Sequence, residues 1–158
     1  MKFNTNRRIL LLFLLVSTLS FAQKRSQTVF NSMDDAYTKN TTTPFTPQEL
    51  KMLQEVYGNA LQEEILDKPQ RVKDIKHLLR NRIVYFQEQN PKNFKTYQLL
   101  SSAPLFDVFV DGLERDMSFD KETFNPLKYQ MLFYTNSAII YRIDNTTNFI
   151  LIRPQVGR

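Results

Sequence analysis

The spacing of apolar residues changes along the chain, and each spacing predicts a different element. Residues 9–16 read Ile-Leu-Leu-Leu-Phe-Leu-Leu-Val, an unbroken run preceded by Lys2, Arg7 and Arg8 and followed by the small residues Ser20 and Ala22. From Gln23 to Phe45 no period holds. Val29, Phe30, Met33, Ala36 and Tyr37 space a short amphipathic turn within a polar tract, which reads as a flexible or docking arm over 23–45. At Thr46 the pattern becomes helical: Thr46 caps, Pro47 suits the first turn, and Glu49 completes a capping box. Leu50, Leu53, Val56, Tyr57, Ala60, Leu61 and Glu64 share one face of a helix predicted to run to about Leu66, weakened at Gly58. Asp67-Lys68-Pro69 stops that helix and starts a second. There Val72, Ile75, Leu79, Ile83 and Phe86 lie on one stripe before Asn90-Pro91 ends it. A connection this short predicts antiparallel neighbours, a helical hairpin over 46–90.

Beyond Pro91 the pattern changes to short strands. Lys95–Ser101 predicts one, and Leu105–Val110 a second or else a buried helical turn. Residues 112–125 are polar and charged, with Phe119 and Phe124 as apolar pins. Segments 127–134, 138–143 and 148–153 predict a three-strand meander, turned at Thr135-Asn136-Ser137 and Asp144-Asn145-Thr146-Thr147. Tyr129, Met131 and Phe133 alternate with Lys128, Gln130 and Leu132, which buries one face. The fold class predicted is α+β: an N-terminal helical hairpin packed on an antiparallel sheet of three to five strands, one domain over 46–158 with its sheet in 95–154. The last strand, Phe149–Arg153, is expected to be an apolar edge, open to strand addition unless another segment covers it.

The N-terminal run matches a secretory signal peptide over 1–22, cut after Ala22. Its eight strongly apolar residues fall short of the roughly 20 a membrane span needs. The ending Ser20-Phe21-Ala22-Gln23 resembles signal peptides common in bacteria that run the type IX secretion system. The resemblance covers four residues and implies an address rather than an activity. Cleavage also changes the charge. Removing Lys2, Arg7 and Arg8 from 21 basic side chains leaves 18 against 16 acids, so a formal +5 becomes +2. A nucleic-acid partner is correspondingly disfavoured.

Composition restricts the chemistry. With no Cys, disulfides, thiolate metal sites and Cys nucleophiles are excluded, and three Gly leave nothing for a glycine-rich phosphate loop. The single His, His77, lies opposite the packed stripe of its helix and is expected on the surface. Asp107, Asp111, Glu114, Asp116, Asp120 and Glu122 place six carboxylates in sixteen residues, yet not in the register of a calcium loop; they read as a solvated acidic loop, with a catalytic or ligand role as the alternative. Lys73, Lys76, His77 and Arg80 recur at i, i+3, i+4 and i+7. The second helix (69–88) carries a net +3 and the first (47–66) a net −3, which predicts complementarity within the pair or a basic flank for an acidic partner.

Two function classes follow. The first is an exported, periplasmic, non-enzymatic interaction subunit of the cell envelope. Its partner would be another envelope protein, expected in the outer membrane, and the type IX translocon's accessory or gate-closing subunits are the nearest context. Partner-binding residues expected for it are Lys73, Lys76 and Arg80 on the helix flank and Ile150 and Ile152 on the edge strand, with no cofactor or metal. The second is a small periplasmic hydrolase or ligand-binding domain that uses the acidic segment 107–122.

Overall fold

A computed structural model describes residues 39–88 and 97–155 of the chain, which divides into two units at Thr38–Lys39. The signal segment, the amphipathic turn at 29–37, Asn90-Pro91 and the expected strand start at Lys95 lie outside the described residues. The unit beginning at Lys39 is α+β, with helices and a four-stranded sheet.

Helix α1, Pro47–Tyr57, begins where its capping box predicts: the Glu49 N–H donates to Thr46 Oγ1 at 3.1 Å, and the Thr46 N–H donates to the Glu49 carboxylate at 2.8 Å. At Gly58 the backbone takes φ +50° and ψ −127°, which ends the α-helical ladder. A 3-10 turn, Gly58–Ala60, and a π turn, Gln62–Leu66, continue the path, so the single helix expected to Leu66 is three pieces. Helix α2, Pro69–His77, passes into a second π turn, Leu78–Arg82. There the helical expectation fails, because Ile83–Gln87 is strand β1. Ile83 and Phe86 fit a helical stripe by spacing, but Ile83-Val84-Tyr85-Phe86 is a run of β-branched and aromatic side chains that fits a pleated surface better.

Strands β2 (Gln98–Leu99), β3 (Ile139–Arg142) and β4 (Asn148–Ile152) complete a sheet of order β1-β4-β3-β2. β4 runs antiparallel to both β1 and β3, whereas β2 runs parallel to β3, so the sheet is mixed rather than antiparallel. The expected C-terminal edge is a centre. Ile152 pairs with Ile83 on one side and Ile139 on the other, and Ile150 lies between Tyr85 and Tyr141. Both isoleucines are fully buried, which corrects their placement on an open edge. The cause is the conversion of 83–87 from helix to strand, which supplies β4 with a second neighbour. The β3–β4 turn forms as expected, with Asn145 at φ 56°.

The segment 127–134 keeps its predicted burial at Tyr129 and Met131 but not its ladder, and Lys128, expected outward, is buried. Tyr129 and Met131 face in while Gln130, Leu132 and Tyr134 face out. After a 3-10 turn at Pro126–Lys128 its backbone pairs irregularly with 104–106, through Phe106 N–H to Lys128 O (2.7 Å) and Gln130 N–H to Pro104 O (2.8 Å). Leu105–Val110 accordingly forms neither a strand nor a helical turn beyond the single bridge Leu105–Tyr129. One core joins Leu53, Val56, Ile65, Ile75 and Leu78 of the helical pieces to Tyr141, Ile150 and Ile152 of the sheet. Gly58 is a sensitive point, since a Cβ there would sit 3.1 Å from Val110 Cγ2 at positive φ. Gly58→Ala is expected to lose about 1–2 kcal/mol. Gly112→Ala, at φ +72° with open space around it, should lose less; chemical denaturation of the two variants checks the order.

Candidate functional site

The basic flank divides on folding. Lys73 is exposed. Lys76 is buried, its Nζ held 5.0 Å from the Phe45 ring centroid. Arg80 turns inward and pairs with Glu49 through two parallel bonds, Nε to Oε1 and Nη2 to Oε2, both 2.7 Å. The same guanidinium donates to Asn40 O (2.7 Å), Thr43 Oγ1 (2.8 Å) and Pro44 O (2.8 Å). Of the predicted partner-binding bases only Lys73 is exposed, and the charge complementarity read between the helical segments accounts for Arg80. Glu64 repeats it, reaching Lys68 at 2.9 Å and Arg71 at 4.0 Å.

The neighbours of Arg80 in the π turn are also tethers. Asn81, 1% exposed, brackets the Lys39 backbone: its Oδ1 accepts from the Lys39 N–H at 2.9 Å and its Nδ2 donates to Lys39 O at 3.1 Å. Arg82, also buried, donates to Arg153 O at 3.0 Å and to Phe133 O. Arg153 answers through its N–H to Arg82 O (2.9 Å) and its guanidinium to Asn81 O (3.1 Å). His77 is half-buried rather than solvent-facing, with Nδ1 3.2 Å from Asn81 Nδ2. The backbone at Lys39, held by Asn81, packs beside the ring on the side of α2 that spacing alone leaves to solvent.

The acidic segment separates too. Asp107, Asp111, Glu114, Asp120 and Glu122 are exposed. Asp116 instead accepts from Lys128 Nζ at 3.0 Å and from the Tyr129 hydroxyl at 2.9 Å, with Glu55 at 3.3 Å from the same ammonium. Burial alone would lower the Lys128 pKa, but Asp116 and Glu55 outweigh it and raise it. Burial, reinforced by the Asp116 charge, pushes the Tyr129 phenol up to about 12. Among the described residues no three His, Asp or Glu converge as metal ligands. A carboxylate outside the acidic segment, Asp144, accepts from the Ser101 N–H at 2.9 Å and the Ser101 hydroxyl at 2.5 Å. Burial would raise that carboxyl, but the two Ser101 bonds hold it below its ordinary value.

A groove of about 630 Å³ runs between the helical pieces and the two irregular segments, lined by Tyr57, Ile75, Leu78, Phe106, Met131 and Phe133, with Arg71 and Asp74 on one wall. Val108 is 65% exposed and Tyr134 72% exposed at its sides. The sequence held a signal for this surface: Tyr134 is apolar on the outward side of an alternating segment. Compared with known proteins, the chain matches no family model, no curated protein and no solved structure.

The Arg80–Glu49 pair sets a stability test. Burial would raise the Glu49 pKa, but the Arg80 and Thr46 hydrogen bonds hold it below its ordinary 4.5. Its contribution is therefore present above pH 4.5 and lost as pH falls through the lower folded value. Arg80→Met is expected to cost about 2–3 kcal/mol at pH 7, because it leaves a largely buried carboxylate unpaired. The gap to the parent protein should narrow below pH 4.5, which denaturation at pH 7 and in acid would show.

Proposed function

We propose that this chain is an exported, non-enzymatic envelope protein that works as an interaction subunit and takes its partner in the apolar groove beside Val108 and Tyr134. The observation that carries the reading is the groove, together with the exposure of those two side chains. An aromatic-lined concavity with exposed apolar sides is the surface on which a partner's side chains become desolvated. Support for the address comes from the positive head, apolar run and small residues ending at Ala22. In this reading the leader 1–22 is cleaved and delivers to the periplasm a helical hairpin packed on its sheet. The partner is an outer-membrane protein, and the resemblance of Ser20-Phe21-Ala22-Gln23 to signal peptides common in bacteria that run the type IX secretion system favours an accessory or gate-closing role in such a transport assembly. Lys73, exposed on α2, adds a cationic contact at the flank.

Two measurements in the native host test this. Mass spectrometry of the envelope fraction should find a chain beginning at Gln23; a cytosolic chain still carrying Met1 contradicts export. A photocrosslinking residue at position 108 or 134 should trap one outer-membrane protein that the same residue at exposed Glu63 does not. Val108→Lys with Tyr134→Lys should abolish that adduct and leave thermal stability unchanged, since both side chains face solvent. Equal trapping from 63, or none from the groove, would overturn the assignment.

A further inference from the structure

The bracket that Asn81 makes around Lys39 ends on the chain's single imidazole, and the chemistry of the three groups is over-determined. The Lys39 N–H only donates and the Lys39 carbonyl only accepts, which fixes the Asn81 amide with Oδ1 toward the first and Nδ2 toward the second. Nδ2 is therefore also the atom that faces His77 Nδ1 at 3.2 Å, and it arrives there as a donor. Only an unprotonated Nδ1 can accept it, so the ring proton sits on Nε2. A protonated imidazole carries a hydrogen on both nitrogens and would place donor against donor. Flipping the amide does not relieve the conflict, because it would set the Asn81 oxygen against the Lys39 carbonyl and its NH₂ against the Lys39 N–H.

We propose that His77, Asn81 and Lys39 form a pH-sensitive latch, in which protonation of His77 frees the backbone at Lys39 from the π turn. The latch is closed at neutral pH and opens in mild acid. Among the described residues, charged groups around the ring include Lys73 and Asp74 from α2 and Arg82 from the π turn, and the held segment brings Lys39. Burial first, then Arg82 and Lys73, lower the imidazole pKa from its ordinary 6.5, against an opposing pull from Asp74. Because the folded value lies below the unfolded one, the closed state is fully stable above pH 6.5 and weakens as pH falls through the folded value. Lys39 is the first residue of the unit it belongs to, so the latch governs how firmly that unit's starting backbone is held.

Amide hydrogen exchange of the purified protein, corrected for intrinsic rates, tests the latch. Between pH 7.5 and pH 5 the Lys39 amide should lose about tenfold in protection, the size of one hydrogen bond, while the Ile150 amide of β4 holds steady. His77→Gln, whose side-chain oxygen accepts from Asn81 without titrating, should show no such loss. Constant Lys39 protection in the parent protein, or an equal loss in His77→Gln, would overturn the proposal. Should His77→Gln fail to fold, the ¹⁵N shifts of the His77 ring decide. A bare Nδ1 at pH 7.5 that gains its proton as Lys39 loses protection supports the latch. A proton already on Nδ1 at pH 7.5, or a titration apart from the Lys39 transition, rejects it.

Discussion

Three consecutive side chains, Arg80, Asn81 and Arg82, hold together parts of the chain that are far apart in sequence. Arg80 gathers 40–44 and the start of α1, Asn81 gathers Lys39, and Arg82 gathers Phe133 and Arg153. Consecutive residues on a helical turn point about 100° apart, so three in a row reach three directions. The π turn that carries them passes directly into strand β1, so the helix ends where the tethers diverge. The arrangement is electrostatically consistent as well. Both guanidiniums, Arg82 buried and Arg80 half-buried, are met by carbonyls, and Arg80 by a carboxylate as well, so their desolvation is compensated by charge-assisted bonds.

The placement of these tethers also shapes the surface. Segments 104–110 and 127–134 have few ladder bonds of their own. They are positioned from behind by Arg82 on Phe133, by the Pro126–Lys128 turn against α1, and by Asn125, whose amide donates to Met52 O and Glu55. Irregular backbone held in this way leaves apolar side chains such as Val108 and Tyr134 outward without a sheet neighbour to cover them. Some of the charged residues that draw attention in the sequence are spent on this internal work, as with Arg80 and Asp116, the latter through Lys128.

Much of the frame was legible in local chemistry. The start of α1 follows from four residues, because a capping box is satisfied within its own turn and depends little on the rest of the fold. The β3–β4 turn is likewise local. What spacing could not resolve was position 83. Ile83 and Phe86 suit a helical stripe and a strand alike, and the decision lies with Ile150 and Ile152, more than sixty residues later, which need a second neighbour to be buried on both sides. From that one error followed another, an edge strand that is a centre. The apolar groove was the least legible feature, since a concavity between non-consecutive segments leaves no period in the chain.

If the 80–82 turn is what unites these segments, removing one tether should loosen the others. Native-state hydrogen exchange of Arg82→Met measures this directly at three amides: Lys39 bound to Asn81, Glu49 bound to Thr46, and Arg153 bound to the Arg82 carbonyl. The expected result is a parallel fall in protection at all three, by about tenfold or more. Loss confined to Arg153, with Lys39 and Glu49 unchanged, would show that the tethers act separately and would contradict a single organising turn.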